Sequence, residues 1–69
     1  MRVEIASPPD RDKLVAPIMF ADQQWAEVNQ EKERLQLEIY PRRDGQPWLF
    51  DFEEAVQALL EARRRLLGK

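Results

Sequence analysis

The 69-residue chain has no cysteine and no histidine. Without cysteine there is no disulfide framework and no thiolate to hold zinc. Without histidine there is no imidazole ligand, and no side chain whose ordinary titration falls near neutral pH. A small domain lacking such staples depends on good packing or on a partner chain. The missing disulfides point to a reducing compartment, and cytoplasmic localisation is the expectation. Only two glycines are present, and neither belongs to a phosphate-cradling loop. No apolar run approaches the roughly 20 residues that cross a bilayer. The opening MRVEIASPPD places a Glu and two prolines where a signal peptide would carry its apolar stretch. A basic surplus is missing too, since the net charge is −2, which argues against a nucleic-acid-binding face.

What remains is a chain that is 43% hydrophobic with two tryptophans, rich enough to fold. Its length suits a single domain, residues 1–69, burying only about 60% of the surface its unfolded form exposes. Residues 2–6, RVEIA, alternate and read as a short strand that Ser7-Pro8-Pro9-Asp10 ends, because proline fixes φ and lacks a donor. Residues 14–21, LVAPIMFA, are apolar on both faces. They read as a strand that Pro17 consigns to an edge or marks with a bulge. Asp22-Gln23-Gln24 is expected to be a three-residue turn placing Leu14, Ala16, Ile18 and Phe20 on the buried face.

Residues 25–30 and 35–40 form the next two strands, joined by Glu31-Lys32-Glu33-Arg34 as a four-residue hairpin loop. That register sets Val28 against Leu37 and Ala26 against Ile39 on the buried side. On the other side Trp25 faces Tyr40, Glu27 faces Glu38 and Asn29 faces Gln36. A one-residue slip would bury the carboxylates. Residues 41–47 are a loop with a strong Asp44-Gly45 turn signal. Trp48-Leu49-Phe50 is a short strand or an arm on the core. Asp51 then caps a helix through the amide of Glu54, with Glu54 reaching back. Phe52, Ala55, Val56, Leu59, Leu60, Leu66 and Leu67 lie on its apolar stripe, and Gly68 ends it. The expected fold is α+β: an antiparallel three- to four-stranded meander with one C-terminal helix packed on one face.

The opposed Glu27 and Glu38 could serve acid/base chemistry, but they sit on an open face with no His, Cys or phosphate loop beside them, so no enzyme is expected. Metal binding by Glu27, Glu38 and Asn29 finds no calcium-like ligand loop, and no metal or cofactor is called for. The plain alternative is a solvated sheet face, at a cost of tenths of a kcal/mol up to about one for the opposed carboxylates. Trp25 and Tyr40 are the sharper feature, because exposed Trp and Tyr are enriched among interface anchors. Met19 and Val15 would extend that face into an apolar patch. The plain alternative is that the Trp48 segment folds over the aromatics. Arg42, Arg43, Arg63, Arg64 and Arg65 could form a basic end that touches nucleic acid, although the last three also complement the helix dipole.

Ala26 to Glu31, Leu35 to Pro41, Asp44 to Trp48 and Phe50 to Glu54 form a pattern that resembles a family of short, uncharacterised bacterial proteins. The pattern is Asn-Gln-Glu, then Leu-Glu-Ile-Tyr-Pro, then Asp-Gly-x-Pro-Trp. No established activity or catalytic residue comes with the resemblance. What it implies is an association with bacterial toxins as immunity proteins. The functional expectation is therefore a small non-enzymatic module that binds a partner protein through Trp25, Glu27, Glu38, Tyr40 and Met19. A toxin-neutralising or immunity role is its most concrete form. The alternatives are a structural homodimer formed through the same patch or the Pro17 strand, and a weak nucleic-acid binder through the arginines. No membrane and no small-molecule substrate is expected.

Overall fold

A computed structural model of the chain describes residues 1–68. Four strands, β1 (Arg2–Val3), β2 (Ala16–Phe20), β3 (Gln23–Asn29) and β4 (Gln36–Ile39), precede one helix, α1 (Phe52–Leu67). The sheet order is β1-β2-β3-β4 with every neighbour antiparallel, so the fold is an α+β meander with its helix on one face. The β3–β4 register pairs Ala26 with Ile39, Glu27 with Glu38, Val28 with Leu37 and Asn29 with Gln36, as the alternation of the two segments requires.

Three local departures from the sequence pattern shape the molecule. The β2–β3 turn has two residues, Ala21 and Asp22, because Phe20 already pairs with Gln23. Ala21 adopts φ 54°, the positive φ that two-residue hairpin turns impose and that glycine usually meets. A bulge follows: Ile18 pairs with Ala26 but Met19 pairs with Gln24, so Trp25 is the unpaired extra residue. Pro17 does not lie on an edge strand, since β2 is flanked on both sides. Its carbonyl accepts from Glu4 N–H at 3.0 Å, but it has no N–H to return. Beyond this position the β1–β2 ladder continues only as the Ala6–Val15 bridge.

The helix starts at Asp51, whose carboxylate accepts from Glu54 N–H at 3.1 Å, and ends at Gly68 in the left-handed region. The Glu54 side chain does not reach back to the cap; it accepts from the Met1 amino group at 2.9 Å. On the helix side the seam is small: Ala58 and Ala62 of α1 share one buried cluster with Ala16, Ile18, Trp25, Ala26 and Val28 of the sheet. The apolar stripe is rotated accordingly. Ala55, Leu59 and Leu66 flank the seam, whereas Phe52, Leu60 and Leu67 remain exposed. Trp48-Leu49-Phe50 is an arm rather than a strand. Phe50 stacks near Trp48 and contacts Trp25 and Phe20, and Trp48 Nε1 donates to the Tyr40 carbonyl at 2.8 Å.

Candidate functional site

The outer sheet face, opposite the helix, carries the paired glutamates. Like charges directly opposed on a sheet repel, and a cation from elsewhere in the chain relieves them. Between β1 and β2, residues 7–14 form the loop closed by the Ala6–Val15 bridge. Pro8 and Pro9 redirect this connector, and Arg11 N–H closes a turn on the Pro8 carbonyl at 3.2 Å. The Arg11 guanidinium lands between the carboxylates. One terminal nitrogen donates to Glu27 Oε2 at 3.0 Å and to Glu38 Oε1 at 2.9 Å, and the other donates to Glu31 Oε1 at 3.0 Å.

Asn29 completes the group. Its Nδ2 donates to Glu38 Oε1 at 3.1 Å, and its Oδ1 accepts from Glu31 N–H at 3.2 Å. Glu27 and Asn29 are both buried, and a buried charge demands such pairing. The hydrogen bonds that the guanidinium donates to Glu38 and Glu31 hold it charged well beyond an ordinary arginine. Burial, and then the charges of Glu27 and Glu38, push the Tyr40 phenol above its ordinary range. The cluster is a closed ionic latch that ties the connector to the sheet, and both glutamates are engaged within the chain.

The remaining predicted anchors are dispersed. Trp25 is only 5% exposed and belongs to the core with Ala16, Ile18 and Ala26. The bulge turns it away from the Glu27–Tyr40 face, so the reading of Trp25 as an exposed anchor is corrected. Its backbone still faces Tyr40, whose N–H donates to the Trp25 carbonyl at 2.9 Å. Among the described residues the buried Trp25 indole N–H finds no hydrogen-bond partner. Met19 and Tyr40 are half-buried, and Val15 is fully buried, so among the described residues these three do not make the outer face a broad apolar patch. The arginines do not form one basic end either. Arg43 bonds the Asp22 carbonyl at the β2–β3 turn and Arg42 pairs with Asp44. Arg63, Arg64 and Arg65 lie near the far end of α1, roughly 20 Å of helix away. Arg64 pairs with Glu61, whose carboxyl it holds below the ordinary range, and Arg65 bonds the Val3 carbonyl.

An exposed apolar strip lies on the other face, beside β4. The helix packs over β1, β2 and β3 and stops short of β4. Leu37 and Ile39 point to the helix side, yet they are 46% and 62% exposed. Leu60 faces Leu37 across a groove of about 200 Å³ lined also by Val28, Leu35, Gln36, Leu59 and Arg63, with Ile39 outside it. Sequence alternation assigns Leu37 and Ile39 to a buried face and so misses the strip. A dimensional signal was available: one helix is about 10 Å wide, whereas four strands about 4.8 Å apart span about 14 Å between the outermost pair.

The two sheet edges also differ. At β1 the outward Val3 carbonyl is capped by Arg65. At β4 the Tyr40 N–H bond to Trp25 fixes which residues face inward. Gln36, Glu38 and Tyr40 direct their backbone groups to β3, so those of Leu35, Leu37 and Ile39 point to the open edge.

Comparison with protein-family models, with curated proteins and with solved structures finds no match for this chain. Among the described residues no helix is long and apolar enough to cross a membrane, and no group of three or more carboxylates is placed to hold a metal ion.

Proposed function

We propose that the protein is a non-enzymatic protein-interaction module that docks its partner along β4 and the apolar strip beside it. The observation that carries this reading is the exposure of Leu37 and Ile39 on a sheet face that the helix only partly covers. Exposed apolar groups beside an unpaired strand edge suit strand addition, in which backbone bonds supply affinity and side-chain contacts supply selectivity. The outer face serves this role less well. Its carboxylates are satisfied by Arg11, and exchanging that arginine for a partner's cation would return one charge for another.

Capture experiments with tagged wild type, Ile39→Lys and Glu38→Gln test the choice of face, with retained proteins, untagged copies of the chain included, measured by quantitative mass spectrometry. A protein held by wild type and Glu38→Gln but lost from Ile39→Lys supports the β4 strip. Loss from Glu38→Gln alone returns the interface to the outer face, and equal retention by all three removes the proposal.

A further inference from the structure

The β4 strip fits one occupant through its own sequence. We propose that it binds a second copy of this chain, pairing β4 with the partner's β4 in antiparallel register centred on Leu37. This rests on the reading of the strip as a docking surface and names what docks there. Two-fold antiparallel pairing through an open edge must match outward-facing backbone groups with one another. On β4 those belong to Leu35, Leu37 and Ile39, an alternation anchored by the Tyr40-to-Trp25 bond. Centring on Leu37 sets Leu37 against the partner's Leu37 and Leu35 against the partner's Ile39, all on the helix face. On the outer face Gln36 then meets the partner's Glu38, and Arg34 meets the partner's Tyr40.

Neighbouring registers fail on charge or on donors. Centring on Glu38 opposes two glutamates and sets Leu35 against Pro41, which has no N–H. Centring on Gln36 leaves Ile39, the most exposed strand residue of β4, against a glutamate, Glu33. Centring on Ile39 sets Leu37 against Pro41. The Leu37 register offers about six backbone hydrogen bonds across the edge; the Leu35 carbonyl, which also accepts from the Gln36 side chain at 3.3 Å, retains a second lone pair.

Packing supports the same occupant. A two-fold axis normal to the sheet keeps both helices on one face. The flank of α1 that carries Phe52, Val56, Leu60 and Leu67, spaced along one side of the helix, then overlooks the partner's matching flank across a joined groove. Phe52, Leu60 and Leu67 are all exposed, and the β4 edge disappears into a continuous sheet. The opposite edge cannot substitute, because Arg65 blocks it at Val3 and β1 spans two residues.

Sedimentation equilibrium from micromolar to millimolar concentration tests the proposal on the full chain. The expected result is a reversible dimer whose dissociation constant rises about tenfold or more in Ile39→Lys, with an unchanged far-ultraviolet circular dichroism spectrum. A cysteine introduced at one position is the only thiol in the molecule. Leu37→Cys places two thiols across the two-fold axis on a hydrogen-bonded pair, with Cα atoms about 5.5 Å apart, too far at Cβ for an unstrained disulfide but within reach of a short bismaleimide. A short bismaleimide is expected to cross-link Leu37→Cys, while Gln57→Cys, exposed on the helix, is not cross-linked. A chain that stays monomeric throughout overturns the proposal, as does a dimer that Gln57→Cys traps and Leu37→Cys does not. A monomer that still retains a different protein through Ile39 sinks the self-association but leaves the docking strip standing.

Discussion

Arg11 decides the chemistry of the outer face. Two opposed carboxylates repel, and one guanidinium fixed between them turns the repulsion into a clamp. The glutamates were placed correctly by strand alternation, whereas Arg11 was not legible as their partner. It lies 16 residues before Glu27 and 27 before Glu38, in a connector with no regular period. Replacing it leaves buried Glu27 without its cation, which is costly in a low-dielectric setting. The expected outcome is that Arg11→Met lowers the thermal midpoint clearly, and that adding Glu27→Gln and Glu38→Gln to it restores much of the loss. Differential scanning calorimetry of the single, double and triple variants measures this coupling, and additive losses would show that the latch is not a unit.

Tyr40 reports on the same cluster. It is the only tyrosine, so tyrosinate absorbance follows one group. Its folded titration is expected above the ordinary value of 10.0, moving down in Glu38→Gln and further up in Arg11→Met. The folded chain holds this proton more tightly than the unfolded chain. The resulting stabilisation is therefore complete below about pH 10 and is lost as pH rises through the folded value. Denaturant midpoints across that range check the sign.

At the scale of elements, the helix and the β3–β4 hairpin were readable because each is specified by its own segment. Asp51 supplies the cap and Gly68 the stop, and an unbroken alternation sets the hairpin register. The β2–β3 hairpin was less legible. Its tight turn rests on Ala21 at positive φ, where no glycine announces it, and the turn length and the bulge together shift Trp25 from one face to the other. An alanine in that conformation is strained by about 1–2 kcal/mol, partly offset by the freedom glycine would add to the unfolded chain. Ala21→Gly is expected to raise the thermal midpoint by a few degrees, and Ala21→Val to lower it. Chemical denaturation of the two variants beside wild type tests the sign. A loss of stability in Ala21→Gly would mean that the turn is unstrained.

At the scale of the whole molecule, the helix lies off-centre and its alanine seam sets where the core ends. Ala58 and Ala62 bring α1 down onto β2 and its neighbours, which seals Trp25 and leaves Leu37 and Ile39 outside. A variant retaining only the core indole, Trp48→Phe, is expected to resist acrylamide quenching, while Trp25→Phe leaves the half-buried Trp48 more readily quenched. Equal quenching of the two would contradict the sealed core.

The sequence by itself determined the class of fold, the β3–β4 register, the helix with its caps and the opposition of Glu27 to Glu38, because each follows from contacts between residues close along the chain or from a period of two or 3.6. Tertiary structure alone decided which exposed groups remain. Whether a carboxylate meets an arginine, whether an indole turns inward at a bulge, and how much of a sheet one helix can shelter depend on distances between segments that no local period encodes.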